Sequence, residues 1–105
     1  MPQGPINVIN QKSTINGNSY ANYSATNAGS LIKTGAGVLR GISVNTAGAT
    51  ATLSLYDGTS AAGAALGVWS LNAQYNATDL NLQFSTGLFA VITGGTPANL
   101  TITYN

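Results

Sequence analysis

From about residue 31 to the end of the chain, apolar and polar residues alternate in short runs, and this period of two constrains the fold more than any other feature. Such alternation places successive side chains on opposite faces of a β-strand. Turn-forming residues, among them Asp57-Gly58 and Gly94-Gly95, separate the runs. The spacing predicts an all-β fold with about six or seven strands and no sustained helix.

The alternation also predicts which side chains enter the core. Within residues 38–45 it places Ile42 and Val44 on the face of Arg40, with Leu39 on the opposite face. The unbroken apolar run Leu88–Ile92 is typical of a strand that is covered on both faces. Ala51, Leu53 and Leu55 are predicted to point inward. The same alternation places Leu80, Leu82 and Phe84 on one face of a strand, and Leu100, Ile102 and Tyr104 on one face of the last strand.

The chain of 105 residues is long enough for one core and too short for two, so a single domain is expected. We place a β-sandwich at residues 31–105, with a jelly roll as the preferred form and an immunoglobulin-like sandwich second. Residues 1–30 are rich in Asn, Ser and Gly and cannot form a core alone, which predicts an extended N-terminal arm or a tail. The apolar residues that an arm would add to a partner's sheet edge are Ile6, Val8, Ile9 and Ile15.

Only five residues are charged, and the net charge is +1. A soluble domain usually carries about 25% charged residues, and a net charge near zero favours association. We therefore expect a homo-oligomer, a trimer or a dimer, or assembly into something larger. Three scattered cations are too few for nucleic acid, and no apolar run has the ~20 residues of a membrane span. The start of the chain lacks the features of a secretory signal, which predicts use without export by the general pathway.

The residue types that carry most catalysis are missing from the chain. It has no Cys and no His, and Asp57 and Asp79 are its only carboxylates. A glycosidase needs two carboxylates about 5 to 10 Å apart, and a calcium site needs six to eight oxygens, usually with several carboxylates. We assign Asp57 to a turn and Asp79 to the head of a strand. The sequence predicts no catalytic residue, no metal site, no cofactor and no enzyme.

Several turn and strand motifs resemble those of a known group of proteins. They are the segment from Gly37 through Ser60, Phe84-Ser85-Thr86-Gly87-Leu88, Val91 through Ala98, and Leu100 through Tyr104. In these segments the chain resembles small virion proteins of tailed bacteriophages, of the capsid decoration or cement type. The resemblance implies a structural protein of the capsid exterior, assembled in the host cytoplasm, that binds the major capsid protein and reinforces joints between its subunits. Arg40 is a candidate for that contact.

A carbohydrate-binding or fibre-type attachment module of the virion is the alternative. Tyr75 lies in a stretch that reads as a polar loop, next to Asn76, and this pair can place a ring and an amide against a sugar. Trp69 lies in a well-patterned strand, so core packing is the preferred interpretation for its ring. The two functions differ in where the binding groups should lie: a capsid protein should bind through strand edges, the N-terminal arm and residues such as Arg40, and an attachment module through exposed aromatic rings on loops, with Tyr75 the leading candidate.

Overall fold

A computed structural model describes residues 19–105. Over that range the chain forms nine β-strands: β1 (Ser19–Tyr23), β2 (Asn27–Thr34), β3 (Gly37–Thr46), β4 (Thr52–Asp57), β5 (Ala64–Ser70), β6 (Tyr75–Ala77), β7 (Leu82–Phe84), β8 (Gly87–Thr93) and β9 (Asn99–Tyr104). None of these residues belongs to a helix that is long and apolar enough to cross a membrane.

The strands form two antiparallel sheets that pack as a sandwich, which confirms the predicted all-β class. The five-stranded sheet has the order β1-β9-β3-β6, and β7 also pairs with β3. The four-stranded sheet has the order β2-β8-β4-β5. Because β6 and β7 pair with successive parts of β3, they act as one interrupted strand at that edge.

The core lies between the two sheets and is built from alternate residues of each strand. Leu53 and Leu55 of β4, like Leu100 and Ile102 of β9, are fully buried, as their alternation predicts. Trp69 is partly buried and packs against the core cluster. A Cβ atom on Gly67 would lie 2.8 Å from the Trp69 ring, so the ring covers this glycine on the inner face of β5.

The predicted faces of β3 are wrong in its first half. Leu39, Ile42 and Val44 are all buried, whereas Arg40 is exposed. The register against β9 shifts between Leu39 and Gly41, which marks a β-bulge at Arg40. The extra residue reverses the alternation at this point, so that Leu39 and Ile42 both reach the core.

The sandwich begins earlier than the predicted boundary at residue 31. All five residues of β1 pair with β9, and β2 pairs with β8 from Asn27 onward. Residues 19–30 therefore belong to the two sheets, because they pair with the body of the domain. The predicted arm residues Ile6, Val8, Ile9 and Ile15 lie outside the described residues.

A tyrosine hydroxyl bridges the two sheets on each side of the sandwich. On one side the hydroxyls of Tyr23 in β1 and Ser30 in β2 lie 2.7 Å apart. On the other side the Tyr75 hydroxyl in β6 donates to the Ser70 carbonyl of β5 over 2.6 Å. The predicted polar loop around Tyr75 is thus a short strand, and its ring packs against the core.

One strand is covered on its inner face only. Leu88, Ala90 and Ile92 of β8 are buried in the core, whereas Phe89 and Val91 point to the outside of the four-stranded sheet and are half-buried. The apolar run predicted that β8 is covered on both faces. Residues 19–105 of a single chain cover only its inner face.

Candidate interaction surfaces

The outer side of the five-stranded sheet, here called the polar face, carries a row of uncharged polar side chains. Asn22 pairs with Thr101, Thr101 pairs with Ser43, and Ser43 pairs with Asn76, so that one row crosses β1, β9, β3 and β6. Their chain neighbours point into the core, which directs these four side chains outward. The row therefore lies across the whole width of the sheet.

Hydrogen bonds between side chains join this row into a network. The Asn22 amide donates to Asn99 over 3.1 Å and to the Thr101 hydroxyl over 3.0 Å. The Asn45 amide donates to the same two partners over 3.0 and 3.1 Å. The Ser43 hydroxyl is hydrogen-bonded to the side-chain oxygens of Asn45 and Asn76. Such shared bonds hold the amides in fixed orientations on a rigid sheet.

Tyr20 adds an aromatic ring to the polar face. It pairs with Thr103 two residues along β1 from Asn22, and its side chain is 47% exposed. Because side chains at i and i+2 share a face, the ring lies beside the amide network. The polar face thus combines amides, hydroxyls and one exposed ring without a formal charge.

Arg40 lies near the margin of the polar face, where the bulge turns it outward. Its guanidinium donates to the Asn81 side chain over 2.9 Å, and its carbonyl accepts from Leu80 N–H over 3.0 Å. Asp79 and Asn81 flank Leu80 with φ angles of 56° and 51°, in the left-handed region that Asn and Asp adopt more readily than most residues. A shallow depression of about 310 Å³ lies beside Arg40, lined also by Asp79 and Thr103.

The outer side of the four-stranded sheet, here called the apolar face, is different. Its first row crosses all four strands as Leu31, Phe89, Tyr56 and Ala65. The side chain of Leu31 at the β2 margin is 46% exposed. The hydroxyl of Tyr56 is the only polar side-chain group in this row.

The second row of the apolar face contains Val91, Ser54 and Val68. Val68, at the β5 margin, is 65% exposed. At the β2 margin, a Cβ atom on Gly29 would lie 2.7 Å from the Phe89 ring, so the ring covers this glycine from outside. Neither row contains a charged residue. An exposed apolar face of this kind usually marks a surface that another molecule covers.

Asp57 holds the turn between β7 and β8 through hydrogen bonds from the backbone of that turn. Its carboxylate accepts the backbone N–H groups of Ser85 and Thr86 over 2.9 and 2.8 Å, and the Ser85 hydroxyl over 3.2 Å. The bonds from the Ser85 and Thr86 amides hold the pKa of Asp57 below its ordinary value. The carboxylate thereby fixes the turn between β7 and β8 to the end of β4. Among residues 19–105 no group of three or more acidic, His or Cys side chains is placed to hold a metal ion.

The structure separates the two residues of the predicted sugar site. Asn76 is exposed and belongs to the row of the polar face, whereas the Tyr75 ring is partly buried and its hydroxyl is bonded to Ser70. Burial also raises the pKa of Tyr75 above its ordinary value. Sequence reasoning missed the network of Asn22, Asn45 and Asn99, although each of them has at least one apolar or aromatic neighbour in its strand.

The chain matches no protein-family model, and no curated protein is significantly similar to it in sequence. Fold and surfaces together define it as a small β-sandwich with one polar and one apolar outer face.

Proposed function

We propose that this protein is a non-catalytic structural protein of a bacteriophage virion, which binds the outer surface of the head and stabilises the capsid. The observation that carries this proposal is the polar face: a hydrogen-bonded, uncharged array across four strands, with Arg40 near its margin. Polar groups held in place by neighbours lose little conformational freedom on binding. They suit a wet protein interface, in which about ten waters accompany each 1,000 Å² of buried area.

The low charge of the chain supports assembly on a crowded shell. Among residues 19–105 only Lys33, Arg40, Asp57 and Asp79 are charged, two of each sign. Many copies bound side by side would repel one another if each carried a large charge of one sign. Short strands at one edge of the five-stranded sheet and the bulges of β2 also limit uncontrolled strand pairing.

We further propose that the sandwich is a jelly roll. With β6 and β7 counted as one interrupted strand, the nine strands become eight, in two sheets of four. The first four strands alternate between the two sheets, and the last strand, β9, lies between β1 and β3. Eight-stranded jelly rolls occur in viral capsid proteins and in lectins. This is an analogy at the level of the fold, and it agrees with both candidate functions.

Co-sedimentation with empty heads of the source phage tests the proposal. The wild-type protein should saturate the heads at a fixed ratio to the major capsid protein. Arg40→Ala removes both a charge and the bond to Asn81, so it should weaken binding by about tenfold, the effect of losing one charged hydrogen bond. Lys33→Ala removes the same charge outside the polar face and serves as the matched control. Absence of binding by the wild-type protein would refute the proposed function.

The contribution of the N-terminal arm needs a separate experiment. Deletion of residues 1–18 leaves all nine strands intact, whereas a deletion to residue 28 would remove β1 and the start of β2. If Ile6, Val8, Ile9 and Ile15 contact the shell, the shortened protein should fold normally and occupy fewer sites on the heads. Unchanged occupancy would refute the role of the arm and leave the decoration role standing.

A carbohydrate-binding attachment module is the second candidate, and one observation favours it. Tyr20 is 47% exposed beside the amides of the polar face, so a ring and amides lie together there, although the ring is not Tyr75. Retention on a glycan array that Tyr20→Ala abolishes, together with no binding to heads, would establish this function instead.

A further inference from the structure

We propose that the apolar face binds the apolar face of a second copy of this chain, so that two sandwiches pack sheet against sheet around a two-fold axis parallel to the strands. This goes beyond the proposed function, because it concerns the opposite face of the sandwich.

The outer face of β8 is only partly covered within residues 19–105. Phe89 and Val91 belong to an apolar run whose pattern is that of a strand buried on both faces. Within residues 19–105 the outer face of β8 is left half-buried, and the margins of the same sheet expose Leu31 and Val68. A second sheet packed about 10 Å away, as in any sandwich, would bury all four side chains.

The large and small side chains of the apolar face are arranged so that two copies of this face fit together. A two-fold axis parallel to the strands, between β8 and β4, sets β2 of one copy against β5 of the other and β8 against β4. In the first row, the projecting Leu31 then meets the small Ala65 of the second copy, and Phe89 meets Tyr56. In the second row, the projecting Val68 meets the β2 margin, where the Phe89 ring covers Gly29. The large Leu31 at one margin thus faces a small residue at the other, which suits an isologous interface.

The absence of charge from both rows also permits two apolar faces to pack against each other. Neither row of the apolar face contains a charged residue, so two identical faces meet without like-charge repulsion. Four strands about 4.8 Å apart and about seven residues long present roughly 440 Å² per copy. The two copies would bury roughly 900 Å² by this measure, which corresponds to a weak, reversible dimer.

Such a dimer suits a protein that reinforces joints, and this consequence rests on the proposed function. Face-to-face packing turns the two polar faces in opposite directions, so one dimer has two equal surfaces for two neighbouring shell subunits. Binding through both surfaces at once raises the effective affinity without a new contact.

Sedimentation velocity of the full chain between about 1 and 500 μM, the range expected for a weak interface, provides the first test. The wild-type protein should shift from monomer to dimer. Val68→Lys places a charge without a partner at each margin of the interface and should raise the dissociation constant by at least tenfold, because burying an unpaired charge is costly. Gln83→Lys adds the same charge on an exposed residue of β7 and should leave the dimer unchanged. A monomer at every concentration, or a dimer that Val68→Lys does not weaken, would overturn the inference.

Cross-linking tests the geometry, and the chain has no cysteine of its own to interfere. The double variant Leu31→Cys/Ala65→Cys should form a covalent dimer with a bismaleimide that spans about 10 Å, because the two-fold axis sets position 31 against position 65 of the second copy across two sheets packed about 10 Å apart, too far for a disulfide. The two positions within one chain lie three strand spacings apart, about 14 Å, which exceeds the span of the reagent. Each single variant should stay monomeric under the same conditions. Cross-linking by Leu31→Cys alone, or none by the double variant, would refute the proposed axis.

The proposed dimer and the proposed decoration role can be refuted independently of each other. A protein that stays monomeric and still saturates heads would overturn the dimer and keep the decoration role. A protein that dimerises and ignores heads would do the reverse.

Discussion

Replacement of Tyr75 by Phe distinguishes a structural tyrosine from a ligand-binding one. The change removes one hydroxyl and keeps the ring, so it deletes the 2.6 Å bond to the Ser70 carbonyl and leaves packing against the core intact. A hydrogen bond of this kind contributes a net ~0.5 to 1.5 kcal/mol to the free energy of unfolding. For a domain of this size that loss lowers Tm by roughly 3 to 8 °C.

Thermal unfolding followed by circular dichroism at pH 7 measures the effect. Tyr20→Phe is the matched control, because this ring is 47% exposed, and its effect should stay within about 0.5 kcal/mol. If Tyr75→Phe and Tyr20→Phe have the same Tm as the wild type, the hydroxyl of Tyr75 does not join the sheets and the reasoning is wrong.

The same variant has a second consequence at alkaline pH. Burial raises the pKa of Tyr75 in the folded state above that of the unfolded chain, so the folded state favours the neutral phenol. This stabilisation is complete below about pH 10, the unfolded value, and is lost as the pH rises through the folded pKa. The alkaline decrease in stability should therefore be smaller in Tyr75→Phe. An identical decrease in both proteins would contradict the assignment.

Three further predictions concern the frame that supports the two faces. Because the pKa of Asp57 is lowered in the folded state, its carboxylate stabilises the fold above about pH 4, and this stabilisation is lost as the pH falls. Asp57→Asn should therefore lose this acid dependence of stability in denaturant titrations. An unchanged pH profile of the variant would contradict the role of the carboxylate. Leu53→Ala empties a fully buried site and should cost about 2 to 5 kcal/mol by urea unfolding, against less than ~1 if the site were peripheral. Gly67→Ala sets a methyl group 2.8 Å from the Trp69 ring and should cost about 1 to 3 kcal/mol, with a shift in Trp fluorescence; an unshifted spectrum would argue against the contact.

Strands with uninterrupted alternation were predictable from the sequence. β4 and β9 pair without bulges against β8 and β1, so Leu53, Leu55, Leu100 and Ile102 point inward as their period requires. A one-residue shift would turn every one of these side chains outward, and burial therefore fixes the register.

The exact position of the bulge at Arg40 was not predictable, although Gly41 beside it is a local signal of a bulge or of a close backbone approach. Its position depends on how β3 pairs with β9, more than 60 residues later in the chain. β1 escaped prediction for a similar reason. Its alternation is short and contains no aliphatic residue larger than Ala21, and it is stable as a strand only because β9 supplies a complete set of partners.

The hydrogen-bond network of the polar face could not be predicted from the sequence for a different reason. Asn22, Asn45 and Asn99 look like solvated residues in the sequence, since nothing local shows that they meet. Their contacts arise from pairing between β1, β9 and β3, which brings positions 77 and 54 residues apart into hydrogen-bond distance. Of the residues within 19–105 that were proposed from sequence for binding, Asn76 belongs to this network and Arg40 lies near the margin of the same face.

β8 was predicted to be covered on both faces, whereas residues 19–105 of one chain cover only its inner face. Selection for an apolar run on both faces of a strand is costly for a monomer, because an exposed apolar face invites aggregation. The chain retains such a run in β8 and continues it with Leu31 and Val68 at the sheet margins, while the other outer face of the same sandwich carries a row of polar side chains and the exposed ring of Tyr20. A protein adapted only to solvent would have no reason to treat its two outer faces so differently. Two surfaces of opposite character are what a chain needs if one binds its own copy and the other binds the shell.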